Sequence, residues 1–362
     1  MERNFILADD MNRDLPQQKA SSGVPGRLEY VDSIRGLAAI GVVIAHFIVP
    51  LYLSSSVIFH DFIDIGKIGV VLFFIISGFI IPFSFKEKNG GVKAFLISRF
   101  FRLYPAYWVS LFIFLVVSYF CGASYPILQI LSNITMFQSA FGVRDIVGVY
   151  WTLFIELVFY ALCVFLFVMG ILNNLRTNFY LSLVMLGFAL FLGGVRYFSG
   201  ISLPVALPLA LSLMMFGGMW RAYILHGDYY AKKLCGRYIF VYVFMIPVIC
   251  SFAYGGLFGN GIRYIITYLL SVVLFFIFTT KVRLQNRFFV FLGTISYSVY
   301  LIHPSILVLF EYFSDTLDSN WKLFWAIIGV IVTIPISHVI YKFVEEPAVA
   351  FGRKMKNHIV SS

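Results

Sequence analysis

The sequence predicts an all-α integral membrane protein, a bundle of about ten transmembrane helices. Of the 362 residues, 60% are hydrophobic and only 12% are charged, and the mean hydropathy is +0.90. A water-soluble fold cannot hide that much apolar surface. Apolar segments of roughly 20 residues, the length needed to cross a bilayer, recur from residue 32 to residue 344. We therefore expect one helical bundle and not two soluble domains.

Each predicted span is an apolar run bounded by polar or charged residues. The segment 126–139 is too short to cross the hydrocarbon, and we expect it to lie at the interface or to re-enter. The predicted organisation is a disordered tail at 1–31, a transmembrane domain at 32–344 and a second tail at 345–362. The ten spans are 32–53, 65–85, 103–121, 148–170, 179–195, 203–220, 238–254, 262–280, 290–312 and 321–344.

The distribution of basic residues predicts the orientation. The two tails and the loops after even-numbered spans hold 21 Lys and Arg residues, against five on the other side. Basic residues concentrate on the cytoplasmic side, so both termini are expected in the cytoplasm. The net charge of +10 is spread in short clusters between apolar runs, which argues against a nucleic-acid partner. Four cysteines without close pairing predict neither a disulfide framework nor a metal site.

The first span carries two ionisable residues on one face. Arg35 and His46 are eleven positions apart, which is three helical turns and about 16 Å. Asp32, about one turn before Arg35, is placed to pair with it. The alternative is structural: Arg35 would anchor the helix end and His46 would be a hydrogen-bonded packing residue.

Four further sites carry polar groups that are expensive to insert in a membrane. Glu156 lies near the middle of its span, as either an ion-pair partner or a catalytic group, and His303 precedes a proline in ISYSVYLIHP. Arg99 and Arg102 share a helix face and suit a phosphate-bearing ligand, although ordinary topology-determining arginines would look the same. Ser77 in FFIISGFII is a conceivable nucleophile, but close helix packing also explains it.

Together these segments resemble the acyltransferase 3 family, which includes bacterial O-antigen and exopolysaccharide O-acetyltransferases. The resemblance rests on Arg35 with His46 after ten intervening residues, and on the ordered segments FFIISGFII, RFFRLYPAYW, YWTLFIELVFY, ISYSVYLIHP and VEEP. These segments cover spans 1–4 and 9–10. Ser98 stands where the family often has a further arginine.

The resemblance implies an O-acyltransferase of the bacterial cytoplasmic (inner) membrane, with membrane lipids around it. The donor would be cytoplasmic acyl-CoA, by default acetyl-CoA, with no permanently bound cofactor. The acceptor would be a carbohydrate hydroxyl, on a polysaccharide or a lipid-linked sugar. His46 would be the catalytic imidazole and Arg35 its partner, while Arg99 and Arg102 would contact the CoA phosphates.

Glu156 and His303 are the further catalytic candidates, as orienting groups. Two other classes remain open from the sequence. A transporter or flippase would use the intramembrane Arg, His and Glu residues as a substrate or proton path. A membrane sensor or scaffold would have no turnover. The acceptor, the acyl group, the choice between direct transfer and an acyl-enzyme, and the oligomeric state stay open.

Overall fold

A computed structural model describes residues 28–53, 56–85, 91–256, 260–314 and 319–361. Within these ranges the chain is helical and forms no strand, which confirms the all-α fold class. The α-helices are α1 (Glu29–Phe47), α2 (Ile65–Ile80), α3 (Gly91–Phe120), α4 (Ile127–Ile134), α5 (Trp151–Val168), α6 (Leu175–Ser199), α7 (Ala206–His226), α8 (Tyr229–Ala253), α9 (Ile262–Phe276), α10 (Arg287–Thr294), α11 (Ser296–Ser314), α12 (Ser319–Ile340) and α13 (Glu346–Ser361).

The number of possible spans agrees with the predicted polytopic bundle. Nine helical segments of the described ranges are long and apolar enough to cross a membrane, and a bent pair makes a tenth. The pair consists of α10 and α11, whose axes differ by 68°. The ninth predicted span, 290–312, is therefore a broken element and not a straight helix.

Two helices extend well beyond their predicted bounds. Helix α3 begins at Gly91 and not near residue 103, because its first turns carry charges that a hydropathy criterion excludes. After α12, a π-helical turn at Tyr341–Glu345 leads directly into α13, so the predicted tail 345–362 is helical as far as Ser361. The predicted tail 1–31 lies outside the described residues up to residue 27.

The short segment 126–139 folds against α3. It holds the eight-residue helix α4, too short to span a bilayer, followed by turns. Tyr107 and Trp108 of α3 donate to the backbone carbonyls of Asn133 and Ile134, at 2.5 Å and 2.9 Å. This anchor fixes the connection that leads into α5.

Two glycine pairs let helices cross at backbone distance. A Cβ on Gly78 of α2 would lie 1.8 Å from the carbonyl oxygen of Met214 in α7, and one on Gly217 would lie 2.2 Å from a carbonyl of α2. At the second crossing, a Cβ on Gly36 of α1 would lie 2.7 Å from the amide nitrogen of Gly293 in α10. This close approach packs α1 against the break between α10 and α11.

Candidate active site

A cavity of about 620 Å³ lies between α1, α2, α3, α5, α7 and α11, and four arginines line it. Asp32 and Glu156 are the acidic side chains among its described lining residues. The four guanidiniums thus exceed the carboxylates in number, and the cavity is a cationic environment. The arginines are Arg35, Arg99, Arg102 and Arg221.

Arg35 is positioned by the crossing of α1 and α10. Asp32 lies one turn earlier on the same helix, and its carboxylate is 3.8 Å from the Arg35 guanidinium, as the sequence predicted. The arginine side chain is 21% exposed, so it remains accessible from the cavity. At 3.8 Å the pair is loose, and the guanidinium retains free donors for a ligand.

Arg99 sits between aromatic rings near Glu156. Its guanidinium carbon lies 5.4 Å and 5.6 Å from the ring centroids of Phe95 and Tyr160. The Tyr160 hydroxyl donates to Glu156 Oε1 at 2.6 Å. Glu156 therefore lines the same cavity as Arg99, and Tyr160 contacts both side chains.

Arg102 is held by a carboxylate from the far end of the chain. Its Nη1 lies 3.1 Å from Glu345 Oε1, and the Ser298 hydroxyl donates to Glu345 Oε2 at 2.8 Å. The Glu345 side chain has no exposed surface. In the sequence, Glu345 belongs to the VEEP segment of the family resemblance, and no local pattern indicates that it orients Arg102.

Arg221 is the second feature that sequence reasoning missed. It lies near the end of α7 and is one of the 21 basic residues that the sequence assigns to the cytoplasmic side. In the structure its Nη1 donates to the carbonyl of Phe79 at 3.1 Å, and its guanidinium lies 4.5 Å from the Phe83 ring centroid. The aromatic residues Phe79 and Phe83, at and just after the end of α2, are the sequence feature that could have indicated a partner for Arg221. The sequence does not show, however, that α7 lies beside them.

His46 and His303 form a direct pair between α1 and α11. His303 Nε2 lies 3.1 Å from His46 Nδ1, and the rings are stacked with centroids 5.1 Å apart. His303 is buried, while His46 is half-buried. Neither imidazole is among the described residues that line the arginine cavity.

Tyr300 connects the two parts of the site. It lines the cavity, and its ring centroid lies 5.8 Å from that of His303. Its hydroxyl is fixed by Thr152 Oγ1 at 2.8 Å and by the Val149 carbonyl at 3.0 Å. The cavity therefore adjoins the histidine pair through the ring of Tyr300.

The six candidate residues from the sequence thus fall into two groups. Arg35, Arg99, Arg102 and Glu156 share the cavity, whereas His46 and His303 contact each other beyond it. Arg35 and His46 share an unbroken α1, so the eleven intervening steps keep them about 16 Å apart along the helix axis.

The fold and site define a polytopic membrane protein with a cationic cavity that adjoins a pair of imidazoles. Residues 28–342 match the acyltransferase 3 family, described as an acyltransferase domain. The match covers most of the chain, which therefore belongs to this family and is a membrane acyltransferase. No curated protein and no solved structure matches the chain.

Proposed function

We propose that this acyltransferase moves an acyl group, by default acetyl, from acyl-CoA to a hydroxyl of a carbohydrate acceptor. The observation that carries the proposal is the arrangement of four cavity arginines beside a histidine pair. The acceptor is a cell-envelope or exported polysaccharide, or a lipid-linked sugar. The protein works in the bacterial inner membrane with both termini in the cytoplasm.

The arginines suit the nucleotide end of the donor. CoA carries several phosphate charges, and guanidinium groups bind phosphate oxygens with two parallel hydrogen bonds. Arg99, Arg102 and Arg221 are each oriented by aromatic rings, a carboxylate or a backbone carbonyl. Such preorientation lowers the conformational entropy lost when a ligand binds.

The position of Arg35 favours phosphate binding over stabilisation of the reacting carbonyl. Because α1 is unbroken, Arg35 is about 16 Å from His46 along the helix. That separation is of the order of the pantetheine arm, which joins the CoA phosphates to the thioester. A donor held by the arginines would therefore present its acyl carbon near Tyr300 and the histidine pair.

His46 would act as the general base. Its unprotonated ring nitrogen takes the proton of the acceptor hydroxyl while the hydroxyl oxygen attacks the thioester carbonyl carbon. The tetrahedral intermediate then collapses with cleavage of the C–S bond. The His46 imidazolium returns its proton to the departing sulfur, so the products are the acyl ester and free CoA thiol.

The test is mass spectrometry of envelope polysaccharides from cells with the intact gene, a deletion, and a His46→Ala variant at equal membrane levels. His338→Ala is the matched control, because His338 is also half-buried but packs on Phe291 away from the site. Loss of an ester-linked acyl mass in the deletion and in His46→Ala alone is expected. Normal acylation by His46→Ala would refute the base assignment, and glycan movement without a new ester would favour a transporter.

A second test addresses the arginine cavity. With a purified protein, acetyl-pantetheine lacks the nucleotide and should react with a much lower kcat/KM than acetyl-CoA, because remote binding energy contributes to catalysis. Arg99→Met should lower kcat/KM for acetyl-CoA but change that for acetyl-pantetheine little. Equal losses for both donors would place Arg99 outside the nucleotide site.

A further inference from the structure

The histidine pair contains enough fixed partners to assign its protons. His303 Nδ1 lies 3.2 Å from the backbone carbonyl oxygen of Val299, one turn earlier on α11. A carbonyl oxygen only accepts, so His303 Nδ1 carries a hydrogen and donates it. The ring has 1% exposure, and an unpaired cation is expensive at such a position. A neutral ring has one N–H, so His303 Nε2 is an acceptor.

The same reasoning then fixes His46. His303 Nε2 lies 3.1 Å from His46 Nδ1. Because His303 Nε2 is an acceptor, His46 Nδ1 must carry the hydrogen of this contact. Neutral His46 therefore has an unprotonated Nε2, the nitrogen that a general base needs. The hydrogen bonds run in one direction, from His46 to His303 to Val299.

We infer that His303 is a positioning residue that holds His46 in the base-competent tautomer, with Nδ1 protonated and Nε2 free. This inference rests on the proposed function and deepens it. Without His303, the His46 ring loses its side-chain acceptor and keeps only its contact with the backbone carbonyl of Val42, one turn earlier on α1, and in water the opposite tautomer predominates for a histidine side chain. His303 itself exchanges no proton in the reaction.

The contact also supports the charged intermediate. When His46 Nε2 takes the hydroxyl proton, Nδ1 keeps its hydrogen, and the imidazolium continues to donate it to His303 Nε2. A hydrogen bond from a charged donor is roughly twice as strong as a neutral one. The pair therefore strengthens as the proton is transferred, while His303 remains neutral.

The position of His303 is fixed by its helix. The side chain is bonded to Val299 within α11 and stacked at 21° to the His46 ring. Pro304 has no backbone N–H, so the carbonyl of Tyr300 loses its usual partner in the helical ladder. The adjoining Tyr300 ring is itself held through its hydroxyl by Thr152. These contacts limit rotation of the ring that orients His46.

Three substitutions at His303 separate the hydrogen bond from packing. In His303→Gln the terminal amide oxygen can occupy the position of Nε2 and accept from His46. In His303→Asn the shorter amide reaches only the position of Nδ1, and His303→Leu has no acceptor. We expect Leu and Asn to lower kcat about 10- to 100-fold, by analogy with the range for groups that orient a metal-binding histidine through its second nitrogen.

The three His303 variants should also differ in a defined way in kcat, in KM for acyl-CoA and in a His46→Ala background. His303→Gln should retain most of the kcat, and KM for acyl-CoA should stay unchanged in all three because the arginine cavity is intact. In a His46→Ala background, His303→Leu should cause no further loss. Equal kcat for Gln and Asn, a normal kcat for Leu, or a further loss in the His46→Ala background would each overturn the inference.

A measurement of the ring protonation in the unmodified protein gives a test that does not depend on the activity of His303 variants. The chain has six histidines, so ¹⁵N-histidine labelling gives a small set of ring signals that single substitutions assign. His46 and His303 should both show a protonated Nδ1 and an unprotonated Nε2. A protonated Nε2 in neutral His46 would overturn the inference, whereas an active His46→Ala variant would instead refute the general-base role that the proposed function gives to His46.

Discussion

The ion pair between Arg102 and Glu345 should respond unequally to removal of its two members. The Arg102 side chain is 28% exposed toward the cavity, whereas the Glu345 side chain is fully buried. Removing the arginine leaves a carboxylate without its counter-charge in the protein interior. Removing the carboxylate charge leaves a guanidinium that water in the cavity can solvate.

The magnitudes follow from these environments. Arg102→Met should destabilise the protein by about 3–5 kcal/mol, the usual effect of breaking a buried pair and stranding one charge. Glu345→Gln should destabilise it by about 1.5–3 kcal/mol, the range for a hydrogen bond to a charged group, because Ser298 can still donate to the amide oxygen. The double variant should be more stable than Arg102→Met alone.

The assay is unfolding of the four proteins by SDS titration in mixed micelles, followed by circular dichroism. The double-mutant cycle isolates the coupling between the two residues. Ser305→Ala, on the same helix as Ser298 but outside the pair, is the control for small changes in α11. Equal destabilisation by the two single variants, or a double variant at least as unstable as Arg102→Met, would refute the reasoning.

Three further predictions concern other parts of the molecule. Gly78→Ala should destabilise the fold by several kcal/mol, because its Cβ would lie 1.8 Å from a carbonyl oxygen of α7; Gly187→Ala, with nothing within 4 Å, should be neutral or stabilising in the same titration. Burial raises the pKa of Asp145, whose carboxylate accepts from Gln138. The folded state therefore favours the protonated carboxyl, and the free energy of unfolding falls as the pH rises above the pKa of the unfolded chain. Asp145→Asn should therefore raise the thermal midpoint at pH 7–8, with the difference vanishing near pH 4, and a pH-independent difference would contradict this. Ser77→Ala should retain acyl transfer and form no less product than the wild type in single-turnover assays, whereas complete loss with an intact fold would indicate a serine acyl-enzyme.

Local periodicity predicted those parts of the site that depend on a single helix. The spacing of Asp32 and Arg35 predicted their pairing, and the structure has it. The spacing of Arg35 and His46 predicted a shared helix, but not that one residue would line a cavity and the other would meet α11. Those contacts depend on how α1 packs against distant elements, which a helical repeat does not encode.

The features that the sequence did not predict all involve a second helix. Glu345 reaches Arg102 across most of the chain, and the π-helical turn that contains it looks like the end of an apolar span. Arg221 has the same local surroundings as an ordinary basic residue at a helix end. Hydropathy likewise placed the start of α3 too late, because packing continues the helix through its charged first turns.

The division between the arginine cavity and the histidine pair has an electrostatic reason. A carboxylate in the position of His303 would orient His46 equally well, but it would add a charge to a buried site where charges are costly. A neutral imidazole accepts the same hydrogen bond without that penalty. The charged groups are instead gathered around the cavity, where Asp32, Glu156 and Glu345 lie beside the arginines. The phosphates of a bound donor would add negative charge to the cavity, where positive charge is in excess. The histidine pair would stay neutral until the hydroxyl proton moves.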